Sequence, residues 1–234
     1  MKSVKVAALS AVVLLCLAGC AGGSSAGDAA GQSPSSASGS DTITRKTSER
    51  FAATQREWLE KNLGFAKKSG RVSDRQIAIL ERSVQAGSIS VSDYEKAWAN
   101  YRQCVVDKGQ PEPELDRYSN GLYAQRGLTG SSEKVGAFSA VSVPCHTAEV
   151  LYVAMVYNVQ IGNPNLYQNP YVQFVDCLQR AEVVPKSYTA EDFQRERRSD
   201  EFSYNKRDPE VRACEVASNM AVGYQDDVYQ DVGW

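Results

Sequence analysis

The first 20 residues constrain this chain most, because they determine the compartment in which the rest of it folds. Lys2 and Lys5 precede a nearly unbroken apolar run over residues 6–17. A membrane-spanning helix needs about 20 apolar residues, so this run is too short to cross a bilayer. A charged start followed by a short apolar core is typical of a secretory signal. We therefore expect residues 1–19 to direct export and to be removed afterwards.

The apolar run ends in Leu17-Ala18-Gly19-Cys20, which resembles the lipobox of bacterial lipoproteins, a Leu and two small residues before a Cys. In that family the Cys thiol receives a diacylglyceryl group, and a dedicated peptidase cuts just before it. The resemblance implies that Cys20 carries lipid, with acyl chains such as palmitate, and that Cys16 is lost with the leader. The alternative is an ordinary signal cleaved after Ala21 or Gly22, which would release a soluble protein.

A flexible tether is predicted to follow, so that residues 20–45 comprise the lipidated Cys20 and a spacer. Ser, Gly and Ala make up 17 of the 20 residues from 21 to 40, and none of the 20 is a large apolar residue. Such a segment has nothing to bury and spans about 25 Å as a random coil. We expect it to hold a folded domain away from the outer face of a bacterial cytoplasmic membrane.

Charge and composition exclude several classes of function. The chain has 26 basic and 28 acidic residues, which does not favour a nucleic-acid partner. The only histidine is His146, which excludes histidine-rich metal sites. No P-loop, dinucleotide fingerprint or Gly-x-Ser-x-Gly motif occurs. We therefore predict no metal site and no cofactor.

Residues 46–234 are predicted to form a mainly α-helical body, because apolar residues recur at steps of three and four between capping residues and glycines. Three helices are predicted in the first part of the body: one over 48–69, one that Ser73 caps with Gln76 and Gly87 ends, and one that Ser92 caps with Glu95 and Gly109 ends. A fourth is predicted from Pro144 to about residue 159. Three more are predicted after it: one starting at Asn169-Pro170, a short one from Thr189 to Phe193, and one from Asp208-Pro209 to Gly223. The β-branched residues after Pro144 leave a strand open there.

The segment 110–140 differs from the rest of the body in its proline and glycine content. It contains Pro111, Pro113 and several glycines. Asn120-Gly121, flanked by aromatic residues, is a two-residue hairpin signal. We predict a short β-hairpin near 116–125 or an irregular loop.

The exported body keeps four cysteines, which are Cys104, Cys145, Cys177 and Cys214. An even number in an oxidising compartment indicates disulfides, and four cysteines allow three pairings. A weak internal repeat suggests two related halves, about 90–160 and 165–225, each with a Cys helix, a Pro-containing insertion and a second Cys helix. The repeat favours Cys104–Cys145 and Cys177–Cys214 and leaves the two swapped pairings open. A zinc site with His146 is disfavoured, because no Cys-x-x-Cys spacing occurs.

Several stretches resemble exported or lipid-anchored proteins of actinobacteria. They are Gly87 to Glu95 followed by Cys104 and Gly109, Tyr157 to Pro164, and Cys177-Leu178 followed by Val184-Pro185 and Tyr188 to Phe193. The resemblance covers roughly residues 75–215 and consists of caps, cysteines and turns. No activity is attached to that group, so the resemblance implies export and disulfides and nothing about catalysis. The chain departs from the pattern over 110–144.

Three short motifs resemble parts of catalytic centres, and the sequence favours none of them as a catalytic site. Ser131-x-x-Lys134 lacks the Ser-Asp-Asn and Lys-Thr-Gly partners of penicillin-recognising enzymes. A Cys145–His146 nucleophile pair would need a free thiol, and a surface or helix-start histidine is expected instead. Glu191-Asp192 is better explained as a capped helix start than as a glycosidase pair, because neighbours on a helix point in different directions.

Two further features bear on binding. Residues 195–198 (Arg-Glu-Arg-Arg) are expected to be a solvated helix face, with contact to an anionic polymer as the alternative. Six tyrosines are expected in loops or at ends, where exposed rings would suit recognition of sugars or peptides; they are Tyr118, Tyr123, Tyr167, Tyr188, Tyr224 and Tyr229. The sequence therefore favours a non-enzymatic binding or interaction module of the cell envelope, with a wall polymer or an envelope protein as partner. The alternative is a wall-directed hydrolase with an unidentified carboxylate site.

Overall fold

The computed structural model describes residues 4–6 and 49–233, and this part of the chain is mainly α-helical, as the sequence predicts. Its helices are α1 Gln55–Ser69, α2 Asp74–Ala86, α3 Val91–Asp107, α4 Ser132–Glu149, α5 Leu151–Gly162, α6 Pro170–Arg180, α7 Ala190–Ser199 and α8 Pro209–Ala217. Its strands are β1 Val4–Val6, β2 Leu115–Arg117, β3 Tyr123–Gln125, β4 Leu128–Gly130 and β5 Gln230–Asp231. The predicted lipid-attachment residue Cys20 and the predicted tether lie outside the described residues. Of the predicted signal, only residues 4–6 are described.

Side-chain caps set the starts of all these helices except α5. The capping residues are Thr54, Ser73, Ser90, Ser131, Asn169, Thr189 and Asp208. Each side-chain oxygen accepts a hydrogen bond from a backbone N–H two or three residues further on, an interaction that contributes about 1 kcal/mol. The starts predicted at Asn169, Thr189 and Asp208 are confirmed, including the reciprocal capping box of Thr189.

Three predicted helix starts are wrong, and two of them, those of α1 and α3, differ by only a few residues. Helix α1 begins at Gln55 rather than at residue 48, because residues 49–51 pair in extended form with residues 166–168. Helix α3 is capped by Ser90, whose Oγ accepts from the Asp93 N–H at 3.1 Å. Ser92, the predicted cap, lies inside the first turn of the helix.

The helix predicted to begin at Pro144 begins at Ser132 instead, so Pro144 lies inside α4. A proline inside a helix removes one backbone hydrogen bond. Here the ring lies on the exposed side of the helix, next to the exposed Val143, where water can satisfy the freed carbonyl. The chain then bends by 65° and continues as α5, so this region is helical and the strand alternative is wrong.

The ends of the last two helices also differ from the prediction. Helix α7 continues past Phe193 to Ser199. Helix α8 stops at Ala217, before the predicted end at Gly223, because Asn219 adopts the left-handed conformation. This turns the chain, and the next backbone N–H, of Met220, bonds back to the carbonyl of Glu215 at 2.8 Å.

A buried glutamine on α2 stabilises the bend between α4 and α5. The Nε2 of Gln76 donates to the carbonyls of Thr147 and Ala148, at 3.1 and 2.7 Å. Its Oε1 accepts from the backbone N–H groups of Tyr152 and Val153, at 2.7 and 3.2 Å. One side chain therefore satisfies both helix ends at a break that has no side-chain cap of its own.

The small amount of β structure flanks the helices. Strands β2 and β3 form the predicted antiparallel hairpin, with Leu115 opposite Gln125. Strand β4 pairs parallel with β5 and antiparallel with β1. The hairpin turn packs on α8, where Asn120 Nδ2 donates to the Ala213 carbonyl at 2.9 Å.

Two hydrophobic clusters form the core, and each contains one disulfide. The first cluster is formed mainly by helices α1 to α5 and includes Cys145, which is bonded to Cys104. The second lies between α6, α7 and α8 and includes the bonded pair Cys177 and Cys214. Both pairings favoured by the sequence are confirmed. The suggestion that the two halves are related remains a prediction.

Helix α8 packs against both clusters. Val211 and Cys214 belong to the second cluster, whereas Val216 and Ala217 belong to the first. The approach of α5 to α8 is close, because a Cβ added at Gly162 would overlap the Ala217 side chain and lie 3.1 Å from its carbonyl oxygen. A glycine is therefore required at this crossing.

Within the described residues, no single helix has the length and apolar character needed to cross a membrane. The bent pair of α4 and α5 meets those two criteria only when both helices are taken together.

Candidate functional site

An open groove of about 280 Å³ lies between α6 and the start of α7. Its lining combines apolar, aromatic, amide and acidic side chains and consists of Tyr167, Val172, Val175, Asp176, Gln179, Thr189, Ala190 and Glu191. Small ligands usually bind in concave sites that combine apolar walls with a few polar groups. We therefore treat the groove as the candidate site.

Local sequence signals explain how α6 and α7 form the two walls. Asn169 Oδ1 accepts from the N–H groups of Tyr171 and Val172, so α6 starts at Pro170. The box of Thr189 and Asp192 starts α7. Between them the chain turns back under Gln179, whose Nε2 donates to the carbonyls of Lys186 and Tyr188 at 3.1 and 2.8 Å. The amide therefore fixes the distance between the walls.

The two acidic groups of the groove differ in their electrostatic environment. Asp176 accepts from Asn165 Nδ2 at 3.2 Å and pairs with Arg180 Nε at 2.9 Å, so its charge is compensated. Glu191 is exposed and makes no hydrogen bond or ion pair with the described residues. The Oε1 of Gln179 also has no hydrogen-bond partner among them. The groove thus offers free acceptors and a net negative charge.

The groove lies next to the point where the N-terminal part of the chain joins the body. Phe51 N–H donates to the Leu166 carbonyl at 3.1 Å, and Gln168 N–H donates to the Glu49 carbonyl at 2.8 Å. Tyr167, which lies between these two hydrogen bonds, is a lining residue of the groove. A ligand in the groove would therefore be held close to residues 49–51.

A second polar feature, which we call the Glu215 centre, lies on α8 and consists of Tyr118, Tyr204, Arg212, Glu215, Tyr224 and Asp227. The Glu215 side chain is only 9% exposed, and its Oε2 makes no hydrogen bond. Arg212 Nη1 lies 3.5 Å from that oxygen. Burial raises the pKa of Glu215 to about 7, and Arg212 opposes this increase only in part.

Arg212 connects the Glu215 centre to the C-terminal segment. Its Nη1 donates to the Val222 carbonyl at 2.6 Å, and its Nη2 lies 3.2 Å from an Asp227 carboxylate oxygen. The guanidinium also lies over the Tyr224 ring, 4.6 Å from the centroid. Glu215 and Asp227 therefore flank an arginine rather than an open substrate space, and Tyr224 covers that arginine.

His146 is not the surface or helix-start residue that the sequence predicts. It lies in the last turn of α4, partly buried, with ring centroids 5.7 Å from Trp98 and 5.4 Å from Tyr101. Burial lowers its pKa to about 4, so it is neutral at physiological pH. Its neighbour Cys145 is bonded to Cys104, which removes the nucleophile of the Cys–His pair.

The other short motifs have structural roles. Ser131 Oγ accepts from the Lys134 N–H at 3.3 Å, so this pair forms a helix cap. Glu191 and Asp192 lie in the first turn of α7, as expected, and Asp192 completes the capping box. Residues 195–198 lie on the same helix, where Arg197 stacks over the Tyr171 ring at 5.8 Å.

The six tyrosines expected to be exposed are not. Tyr188 is buried and donates to Glu196 at 2.6 Å. Tyr123 stacks on Tyr94, with a centroid distance of 5.7 Å. The others are partly buried, and of the six only Tyr167 lines the groove. The six rings therefore do not form one exposed aromatic surface at the groove, to which only Tyr167 contributes.

Sequence reasoning did not identify the groove or the Glu215 centre. The groove joins residues that share no motif. Glu215, however, is four residues after the core residue Val211, and an acidic residue at core spacing on an amphipathic helix is a signal that could have been noticed. No group of three or more His, Cys, Asp or Glu side chains in the described part of the chain could hold a metal ion.

Comparison of the chain with protein-family models, with curated proteins and with solved structures finds no match.

Proposed function

We propose that this protein is a lipid-anchored binding module on the outer face of a bacterial cytoplasmic membrane and that the groove between α6 and α7 is its ligand site. The observation that carries the proposal is the position of the groove, which opens beside the strand pairing at Arg50 and Tyr167. A ligand bound there is held next to the end of the tether that joins the body, and the tether spans about 25 Å from there to the anchor. A protein that only holds a ligand close to a surface needs no catalytic residues.

Export is supported by the two disulfides together with the leader. Disulfides persist in oxidising compartments and are rare in the cytosol. Cys104–Cys145 and Cys177–Cys214 each close a loop of about 40 residues, with separations of 41 and 37. Closing a loop of this size lowers the entropy of the unfolded chain, which raises the free energy of unfolding by about 4 kcal/mol per disulfide. The body is therefore suited to conditions outside the cytoplasm.

Stable anchoring follows from the chemistry proposed for Cys20. One acyl chain binds a membrane only marginally, whereas two or more chains bind it stably. A diacylglyceryl group on Cys20 meets that requirement. The partner would then be a cell-wall polymer or an envelope protein within reach of the tether.

A wall-directed hydrolase is the second candidate, and one observation favours it. Glu215 has a pKa of about 7, near the value that suits a general acid or base. Its side chain is nine-tenths buried, however, Arg212 lies 3.5 Å from Oε2, and the Tyr224 ring covers Arg212. A substrate would have to displace both residues to reach the carboxyl group, so we favour binding.

The anchor is tested by replacing Cys20 with Ser. We expect Cys20→Ser to release the protein from the membrane fraction to the medium. The matched control is Cys16→Ser, which changes a cysteine of the leader and should leave the mature protein in the membrane. Membrane retention of Cys20→Ser equal to that of the unchanged protein would contradict the anchor.

The binding role is tested with the full chain carrying Cys20→Ser, co-sedimented with purified insoluble cell wall. We expect Val172→Trp, which fills the groove, to abolish sedimentation. The control is Val91→Trp, the same change at a valine that is 56% exposed at the start of α3 and does not line the groove. Equal sedimentation of the two variants would contradict a role for the groove, and no sedimentation of the parent chain would contradict wall binding.

A further inference from the structure

We propose that strand β4, once the leader has been removed, binds an extended segment of another envelope protein as an added antiparallel strand. The inference rests on the proposed export, which removes β1, and it adds a binding surface that is separate from the groove between α6 and α7.

One edge of β4 is covered by a strand that belongs to the leader. The strand order is β1-β4-β5, with Val4 opposite Gly130 and Val6 opposite Leu128. Strand β1 lies within residues 1–19, which are cut off in the export proposed above. The processed protein therefore keeps β4 and β5 and loses the strand that lies beside β4.

The hydrogen bonds of β4 show which backbone groups lose their partner strand. Val232 N–H donates to the Thr129 carbonyl at 2.9 Å, so the backbone groups of Thr129 face β5. Backbone groups of successive residues in a strand point to opposite sides. Leu128 and Gly130 therefore each direct an N–H and a carbonyl toward β1. Removal of β1 leaves these four groups as an open edge.

The opposite edge of this sheet, along β5, is already occupied. Gln230 Nε2 donates to the Glu112 carbonyl at 2.9 Å, and Gln230 Oε1 accepts from the Glu114 N–H at 2.9 Å. The segment before β2 thus lies against β5, and processing opens the sheet at β4. An uncovered strand edge is a template for pairing with an extended chain, and peptide recognition by strand addition uses such edges.

The side chains of β4 determine the kind of segment that fits. Leu128 is 5% exposed and belongs to the first hydrophobic cluster, and Gly130, two residues further on, lies on the same face of the strand. Partner residues opposite these two share that face and are therefore expected to be apolar. The partner residue opposite Thr129 points the other way and can be polar. The fitting segment reads apolar–polar–apolar.

A second copy of β4 fits the edge less well. In the register that β1 adopts, two antiparallel copies of β4 would place Leu128 of each copy opposite Gly130 of the other. Glycine has no side chain for a cross-strand contact, so neither leucine would gain a packing partner. A segment with an apolar residue at that position supplies the contact, which favours a different chain as the occupant.

The test uses the processed protein, purified from membranes in detergent, with its mass measured to show that residues 1–19 are gone. The probe is a fluorescein-labelled peptide of residues 2–8, Lys-Ser-Val-Lys-Val-Ala-Ala, added in trans. Fluorescence anisotropy measures binding, and NMR measures hydrogen exchange of the protein's amides. We expect the peptide to bind and to slow exchange at Leu128 and Gly130.

A matched pair of modified peptides isolates the strand pairing. In the observed register the Val6 N–H faces β4, whereas the Lys5 N–H faces away. We expect N-methylation at Val6 to weaken binding at least about fivefold, the effect of losing one hydrogen bond, and N-methylation at Lys5 to leave it unchanged. The two modified peptides are equally apolar, so equal affinities would indicate uptake by the detergent and would overturn the inference.

The remaining outcomes separate this inference from the proposed function. If residues 1–19 are gone and the peptide does not bind, the inference fails and the anchored binding module stands. Slow exchange of Leu128 and Gly130 without peptide would overturn it as well, because this chain or a second copy would then already cover the edge. A mass that still includes residues 1–19 would contradict the proposed processing, and the inference would fail with it.

Discussion

The buried carboxyl group of Glu215 should make the stability of the protein depend on pH in an unusual direction. The side chain is 9% exposed, with Oε2 unbonded, and burial raises the pKa of Glu215 from 4.5 to about 7. In the unfolded chain the group ionises near 4.5. Between these two values the folded protein therefore holds one proton more than the unfolded chain, and the free energy of unfolding falls as pH rises.

The magnitude follows from the size of the shift. One pKa unit corresponds to 1.36 kcal/mol, so a shift from 4.5 to about 7 corresponds to about 3 kcal/mol. This stability is fully present below pH 4.5 and is lost by about pH 7. Glu215→Gln replaces the protonated carboxyl group with a neutral amide of similar shape. We expect the variant to match the parent at pH 4.5 and to be about 3 kcal/mol more stable at pH 7.5.

The assay is urea unfolding of the oxidised protein at several values from pH 4.5 to 7.5. The quantity of interest is the difference in unfolding free energy between Glu215→Gln and the parent chain at each pH. Glu210→Gln serves as the control, because Glu210 is exposed on the same helix. A difference for Glu215→Gln that does not change with pH, or one that equals that of the control, would refute the reasoning.

Three further predictions concern packing, disulfides and titration. Gly162→Ala should lower the free energy of unfolding by about 1–3 kcal/mol by overpacking, whereas Gly136→Ala, in α4 with nothing within 4 Å of its added Cβ, should raise it by about 0.5–1 kcal/mol; urea unfolding checks both. Non-reducing peptide mapping should recover Cys104 linked to Cys145, and replacing both with Ala should lower the unfolding free energy by about 2–5 kcal/mol; a free thiol at either position would be inconsistent with the fold. NMR should show His146 titrating near pH 4, and an ordinary value near 6.5 would mean that its ring is solvated.

Signals contained within a few residues could be read from the sequence. The caps at Asn169, Thr189 and Asp208 were predictable because the capping side chain and the N–H groups it satisfies lie within four residues. The disulfide pairing is an exception, because it joins residues 41 and 37 apart and was nevertheless favoured by the repeated placement of cysteines on amphipathic helices. The hairpin followed from Asn120-Gly121.

Features that depend on distant residues could not be read in this way. Pro144 looks like a helix start, and only the exposed side of α4 shows why the helix tolerates it. The bend after α4 is stabilised by Gln76, more than 70 residues away. The groove arises where Tyr167 and Val172 approach Glu191, which is a property of the packing of α6 and α7 and leaves no trace in local periodicity.

The position of helix α8 between the two hydrophobic clusters has a consequence for how the protein unfolds. Val211 and Cys214 are buried in one hydrophobic cluster and Val216 and Ala217 in the other, so one helix of nine residues contributes to both. Neither cluster can lose its structure without exposing apolar surface of the other. We therefore expect heat or denaturant to melt the body in a single cooperative transition, with no stable half-folded species, although its sequence reads as two repeats.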